Sequence, residues 1–220
     1  MSEDQSLAES AYRRLEEDIV TLRLQPGEAL TEARLTKELD MGRTPIREAI
    51  QRLSWEGLVT IRPRLGIVIS ELNPGDYTRV MDARHPLEVL LTTSAARLAS
   101  REERQKLHDC AAAMRDAASA NDTIGFLRLD KIFDEIVAVA ACNPFAAKAV
   151  APLQTLSRRF WYRYWGESNL IAAATGHLEL MQAIESGDET VARTMADDLM
   201  RYMRRQAASL VAEVTPPRPV

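Results

Sequence analysis

Two arginines, Arg43 and Arg47, stand four positions apart with Thr44 between them. On a helix that spacing puts both guanidinium groups on one face. A guanidinium can bond guanine O6 and N7 with two donors at once, so such a pair at the start of a helix can read base edges in a major groove. Solvated helix charges are the bland reading of the same spacing. Asp130 and Asp134 repeat it with carboxylates. That pair suits a hard cation taking oxygen ligands, or simply a polar helix face. Arg84 stands one turn before Glu88. Its planar fork can take a ligand carboxylate with two parallel bonds, or it can pair with Glu88 inside the helix. Arg158, Arg159 and Arg163 are interleaved with Phe160, Trp161, Tyr162, Tyr164 and Trp165. That stretch fits a pocket wall, an interface or ordinary packing. His85 and His108 show no partner pattern.

The elements that must position these groups are legible from periodicity. Tyr12, Leu15, Ile19 and Leu22 recur at helical spacing within the first 24 residues, and Pro26-Gly27 breaks the run. Thr31 can cap a short second helix carrying Leu35 and Leu39, closed by a turn at Asp40-Met41-Gly42. A third helix is expected from Thr44 or Pro45, with threonine as cap and proline in the first position. Ile46, Ala49, Ile50 and Leu53 form its inner face, which leaves Arg43 and Arg47 outside. Leu58–Ile61 and Ile67–Ile69 read as strands joined by a turn at Pro63–Gly66. Helix, helix, turn, helix and hairpin make a winged helix-turn-helix, placed at residues 7–71. The segment Glu71–Gly75 is the candidate boundary, with Asn73 as cap and Pro74 opening a helix. From there only helices are expected: Asp76–Ser100, Glu102–Ala120, Asp122–Ala141, Phe145–Tyr164, Leu170–Glu185 and Asp188–Val214, with a break at Gly166. The tail Pro216-Pro217-Arg218-Pro219 is expected to fray. The fold class is therefore mainly α: a winged helix-turn-helix, then an all-α bundle over residues 76–214.

Composition agrees with a packed protein, since 46% of the 220 residues are hydrophobic and 27% charged. No apolar run approaches the roughly 18 residues of a membrane span. The polar start MSEDQSLAES is unlike a secretory signal. Cys110 and Cys142, without a CxxC partner, read as reduced buried thiols, and a cytoplasmic location is expected. The formal net charge is −4, which argues mildly against nucleic-acid binding. Its distribution argues the other way, because Met41–Arg64 holds five arginines against Glu48 and Glu56.

The residues Arg43, Thr44, Pro45, Ile46, Arg47, Glu48, Ala49 and Ile50, followed by Arg52, Leu53, Glu56, Gly57 and Leu58, form one dense motif. A wing of Arg62, Pro63, Arg64 and Gly66 follows. Together they resemble the N-terminal domain of GntR-type regulators over about 40 residues. The resemblance implies a bacterial transcription regulator in which Arg43, Thr44, Arg47 and Gly66 contact operator DNA, with Arg62 and Arg64 on the wing. Two positions depart from the pattern. Gly42 replaces a serine or threonine, and Ala33 replaces a contacting arginine, for which the adjacent Arg34 is the substitute.

The second half resembles the all-helical effector domain called FCD. The residues that carry this are Arg84, Leu87 and Glu88; Ala95 to Ala99; Asp130 and Phe133; Asn143; His177; and Ala183, Ile184, Gly187 and Asp188. Six helices suit its shorter version. Many such domains hold a divalent metal, such as zinc, through one aspartate and three histidines, and an arginine holds an organic acid. By that resemblance Asp130 and His177 are metal ligands and Arg84 takes the acid. The first histidine position is Asp134, and the third falls at Leu199 beside Asp198.

The effector set expected from this is Arg84, Asp130, Asp134 and His177, with the last three as metal ligands. The incomplete histidine set forces a choice. Either an oxygen-rich site holds a metal, or the ligand is not a simple anion. The partners implied are double-stranded operator DNA of palindromic sequence, a small-molecule effector such as a carboxylate, and a second copy of the chain, since one winged helix reads only a few base pairs. No membrane partner is implied. The alternative is an enzyme or metal-binding protein using the helical half. No nucleophile–base motif, phosphate loop or intact metal motif favours it.

Overall fold

Breaks at Asn73 and Pro74 divide the chain into two units, Met1–Asn73 and Pro74–Val220, in this computed structural model. The structure describes residues 6–165 and 170–214, with side chains described to residue 210. Gly166 and the tail at Pro216–Pro219 lie outside the described residues.

The first unit opens with α1 (Leu7–Val20), whose N-cap Ser6 accepts from the Glu9 N–H. Its inner stripe is Ala11, Tyr12, Leu15, Ile19 and Val20. The helix ends before Leu22, which turns to a positive φ of 56° and leaves the stripe. Leu24 is buried instead. Next come β1 (Ala29–Leu30), α2 (Glu32–Leu39) and α3 (Arg43–Trp55). Thr31 caps α2 by accepting from the Arg34 N–H, and Asp40 closes that helix in the left-handed conformation. The cap of α3 is Gly42 rather than Thr44, and it offers no side-chain bond. Pro45 is thus the third helical residue, where its missing N–H still costs nothing, because the first four N–H groups of a helix have no partner within it.

The wing is built from β2 (Val59–Arg62) and β3 (Gly66–Ile69). Both pairings are antiparallel and the sheet order is β1-β3-β2. Leu30 stands opposite Ile67 on one side of β3, and Ile61 opposite it on the other. The strand β1 was not expected from sequence. Two residues carry no alternation, and it exists only through its pairing with β3. The buried core joins Leu15 and Ile19 to Leu30, Leu35, Ile46, Leu53, Leu58 and Ile69.

The second unit is helical throughout its described residues: α4 (Pro74–Leu98), α5 (Arg101–Ser119), α6 (Thr123–Ala140), α7 (Pro144–Trp165), α8 (Leu170–Ser186) and α9 (Glu189–Val214). The ends have local causes. Pro74 opens α4, Ser100 and Glu103 form a capping box on α5, and Asp122 accepts from the Gly125 N–H at the start of α6. Arg104 donates to the carbonyls of Ile184 and Glu185 at 2.8 and 2.6 Å, which satisfies acceptors at the end of α8. The helix α4 is central and packs against α6, α7, α8 and α9. Cys110 is buried, but Cys142 is exposed, contrary to expectation. The helix α6 ends at Ala140, so Cys142 falls in a left-handed turn (φ 51°) and off the inner face. Among the described residues, no helix is long and apolar enough to cross a membrane.

Candidate functional site

In the first unit, the hydrophobic periodicity of α3 decides what is displayed. Ile46, Ala49, Ile50 and Leu53 are buried, so Arg43, Thr44 and Arg47 are exposed on the opposite face. Arg43, Arg62 and Arg64 are exposed and form no ion pair among the described residues. Arg47 Nε lies 2.9 Å from Glu32 Oε2 on α2, in a pair that stays open to solvent. Arg34 is held on both sides, 2.6 Å from Glu28 and 2.7 Å from Glu38. Its charge is therefore offset in place, unlike that of Arg43. Arg52 serves the scaffold: its guanidinium stacks 3.5 Å from the Tyr12 ring centroid and bonds Glu9 at 2.8 Å.

The wing tip turns through Pro63 and Arg64, with the Leu65 N–H donating to the Arg62 carbonyl at 3.3 Å. Arg64 sits at φ 68°, a conformation that side chains disfavour. At Gly66 (φ +83°) an added Cβ would stand 2.7 Å from the Leu30 carbonyl oxygen. Glycine there lets β1 close on β3, a structural reason separate from any DNA contact.

In the second unit, charged side chains from four helices converge in the interior. Arg84 and Glu88 come from α4, Asp130 and Asp134 from α6, Arg158 from α7 and His177 from α8, and all six are buried. Arg84 Nε donates to Glu88 Oε1 at 2.6 Å, and its Nη1 donates to Ser157 Oγ at 3.1 Å. The Arg84–Glu88 pair within the helix is thus present. The third nitrogen, Nη2, lies 4.0 Å from Asp134 Oδ1. Gln154 donates to Glu88 at 3.0 Å. Arg158 Nη1 donates to both aspartates, at 3.1 Å to Asp130 and 2.5 Å to Asp134.

The histidine is held at both ring nitrogens. Nδ1 lies 2.7 Å from the Ala173 carbonyl oxygen, which only accepts, so Nδ1 donates. Nε2 lies 2.8 Å from Asp130 Oδ1. Burial would discharge His177, but its bond to Asp130 outweighs that and raises its pKa. Burial would likewise raise Asp130, yet His177 and the arginines hold it well below the usual carboxylate range. Asp134 lacks a histidine partner. Burial and the charge of Asp130 push it up to about 7 against the pull of Arg158, so a proton taken up by the pair resides on Asp134.

Arg84, Asp130, Arg158 and His177 line a cavity whose other walls are mostly apolar, with Leu127, Trp161, Leu199 and Met203 beside the polar Ser157, Tyr202 and Gln206. About 20 Å³ is open to the centre of a water-sized sphere, room for roughly one water molecule. A larger ligand enters only if side chains move. Asp134 touches the cluster through Arg158 rather than the cavity wall.

The expected divalent metal does not fit this arrangement. The point between Asp130 and Asp134 is taken by a guanidinium, and His177 Nε2 is committed to Asp130. Leu199, at the third histidine position, is apolar, and Asp198 faces solvent beside Arg201. Among the described residues, no group of three or more histidine, cysteine or acidic side chains is gathered as a metal site requires. Sequence reading missed Arg158 as the partner of the two aspartates. A signal was present: Arg158 falls in the stripe Val150, Gln154, Trp161, the buried face of α7. The histidines without a sequence pattern also find partners, His85 with Asp197 at 2.6 Å and His108 with Glu185 at 3.3 Å.

Comparison with known proteins agrees with both halves. Residues 7–69 match the model for bacterial regulatory proteins of the gntR family, and residues 79–202 match the FCD domain. The chain is 35% identical over 139 residues to an HTH-type transcriptional regulator in the TAR-I ttuE-ttuC' intergenic region of Agrobacterium vitis, covering 60% of this chain and 80% of that one. It is 24% identical over 197 residues to the HTH-type transcriptional repressor RspR of Escherichia coli K12, covering 89% and 86%. Among solved structures, E. coli McbR/YncC has the same fold, with a TM-score of 0.79 at 18% identity over 96% of this chain and 99% of that one. With matched domains across both units, the chain belongs to the GntR family of bacterial transcription regulators and carries an FCD domain after its winged helix-turn-helix.

Proposed function

We propose that the protein is a ligand-responsive, cytoplasmic regulator that binds a palindromic operator as a homodimer and does no catalysis. The observation that carries the reading is the exposed start of α3, where Arg43, Thr44 and Arg47 stand over the buried face Ile46, Ala49, Ile50 and Leu53. In this reading Arg43 and Arg47 enter the major groove, and Thr44 bonds the backbone or a base edge. Arg62, Arg64 and the backbone at Gly66 follow the neighbouring phosphates. Arg34 joins them only after exchanging Glu28 and Glu38 for a phosphate.

The effector is a small organic acid received in the cavity of the helical unit. Arg84 supports this, because it lines the cavity while Glu88 engages its Nε, which leaves Nη2 4.0 Å from Asp134. His177, Asp130 and Asp134 complete the lining and its second layer. Proton uptake by Asp134 would offset the acid's charge.

In a binding-site selection, Arg43→Ala and Arg47→Ala should each weaken operator binding by ~1–3 kcal/mol and relax base choice. Unchanged specificity in both variants would remove the assignment of α3 as the recognition helix. Sedimentation should give a dimer, on two half-sites about one helical turn apart. A monomer at micromolar concentration, free and on DNA, would overturn that part.

A further inference from the structure

We infer that Arg158 stands in place of a divalent cation, so that the polar interior of the helical unit is complete without a metal. Two buried carboxylates on one face of α6, with an imidazole opposite on α8, are the donor types that hold zinc or manganese. Where their oxygens converge, the structure has a guanidinium nitrogen. Arg158 Nη1 reaches Asp130 Oδ2 and Asp134 Oδ2 together, and its Nη2 donates to Thr155 Oγ1 at 3.2 Å. The other oxygen of Asp130 takes the His177 Nε2 hydrogen.

Each carboxylate already has a cationic side chain beside it: Glu88 has Arg84, Asp130 has Arg158 and His177, and Asp134 has Arg158. A proton on Asp134 leaves still less negative charge to attract a dication. A dication would have to expel the Arg158 guanidinium into a bundle interior, where an unpaired charge is strongly disfavoured. It would also have to strip the hydrogen from His177 Nε2. An arginine tethered to α7 cannot be lost to a chelator and does not depend on metal supply. This inference goes beyond the regulatory reading and does not require that the cavity bind an effector.

The test uses the full chain and metal alone. Elemental analysis of protein purified without chelator should find no stoichiometric metal, and EDTA, Mn²⁺ or Zn²⁺ should leave the melting temperature unchanged. Arg158→Ala should melt lower, because two buried carboxylates lose their cation. Mn²⁺ or Zn²⁺ should then raise its melting temperature, and that rise should vanish when Asp130→Ala is added. Stoichiometric metal in the wild type that is lost in Asp130→Ala would overturn the inference, as would a wild-type melting temperature that falls in EDTA. A folded Arg158→Ala variant with no metal response would overturn it too, since the carboxylates would then form no cation cradle. If Arg158→Ala does not fold, the wild-type metal content and its response to EDTA still decide.

Discussion

Arg64 shows how a single residue can be worse for the fold than its replacement. It occupies the left-handed region at the wing tip, where a side chain costs roughly 1–2 kcal/mol. Pro63 before it fits the first turn position, but the second position of a turn with positive φ favours glycine. Strain of this kind points to a use for the side chain. Arg64→Gly should therefore raise the melting temperature of the winged unit while weakening DNA binding. The salt dependence of binding should also become shallower, by about one phosphate contact. A variant that binds operator as tightly as wild type, with the same salt slope, would leave Arg64 with no role at the DNA.

At the scale of elements, the polar cluster is a junction of four helices, and its protons respond to how they pack. Asp134 on α6 faces Arg84 and Glu88 of α4, Asp130 of its own helix and Arg158 of α7, while His177 of α8 bonds Asp130. Its pKa goes from an ordinary 3.8 to about 7 on folding, so the native state holds this proton more tightly than the unfolded chain does. Stability from that proton is complete below about 4 and is lost as pH rises toward 7. His177 is also raised, so its contribution is present below 6.5 and lost above that value. Asp130 works in the opposite sense, and its contribution is lost only in strong acid. The expected result is a melting temperature that falls from pH 5 to pH 8. Asp134→Asn should flatten the decline below neutrality and leave the His177 portion above it. Equal slopes in wild type and variant would mean that Asp134 does not hold the proton.

For the whole molecule, the two units separate at Asn73 and Pro74, and each has its own buried core. Every partner in the polar cluster, from Arg84 to His177, lies in the second unit. Residues 74–214 produced alone should fold cooperatively, show a strongly helical circular dichroism spectrum and keep any response to organic acids that the full chain has. A broad, non-cooperative melt of that fragment would mean that the helical unit needs the winged one.

The sequence alone determined what rests on local rules. Periodicity and start signals placed the helices to within a few residues, because Pro74 and Asp122 act on their own turn of chain. The inner face of α3 was legible for the same reason, and with it the outward direction of Arg43 and Arg47. Tertiary structure alone decided the rest. The strand β1 is two residues long and owes its existence to β3, and Gly66 matters because the Leu30 carbonyl comes close to it. The fate of Asp130 and Asp134 turned on Arg158, which is 24 residues from Asp134 in the chain and 2.5 Å away in space. Spacing along one helix shows that two carboxylates share a face. Whether that face meets solvent, a metal or a guanidinium depends on which side chain the neighbouring helix brings to it.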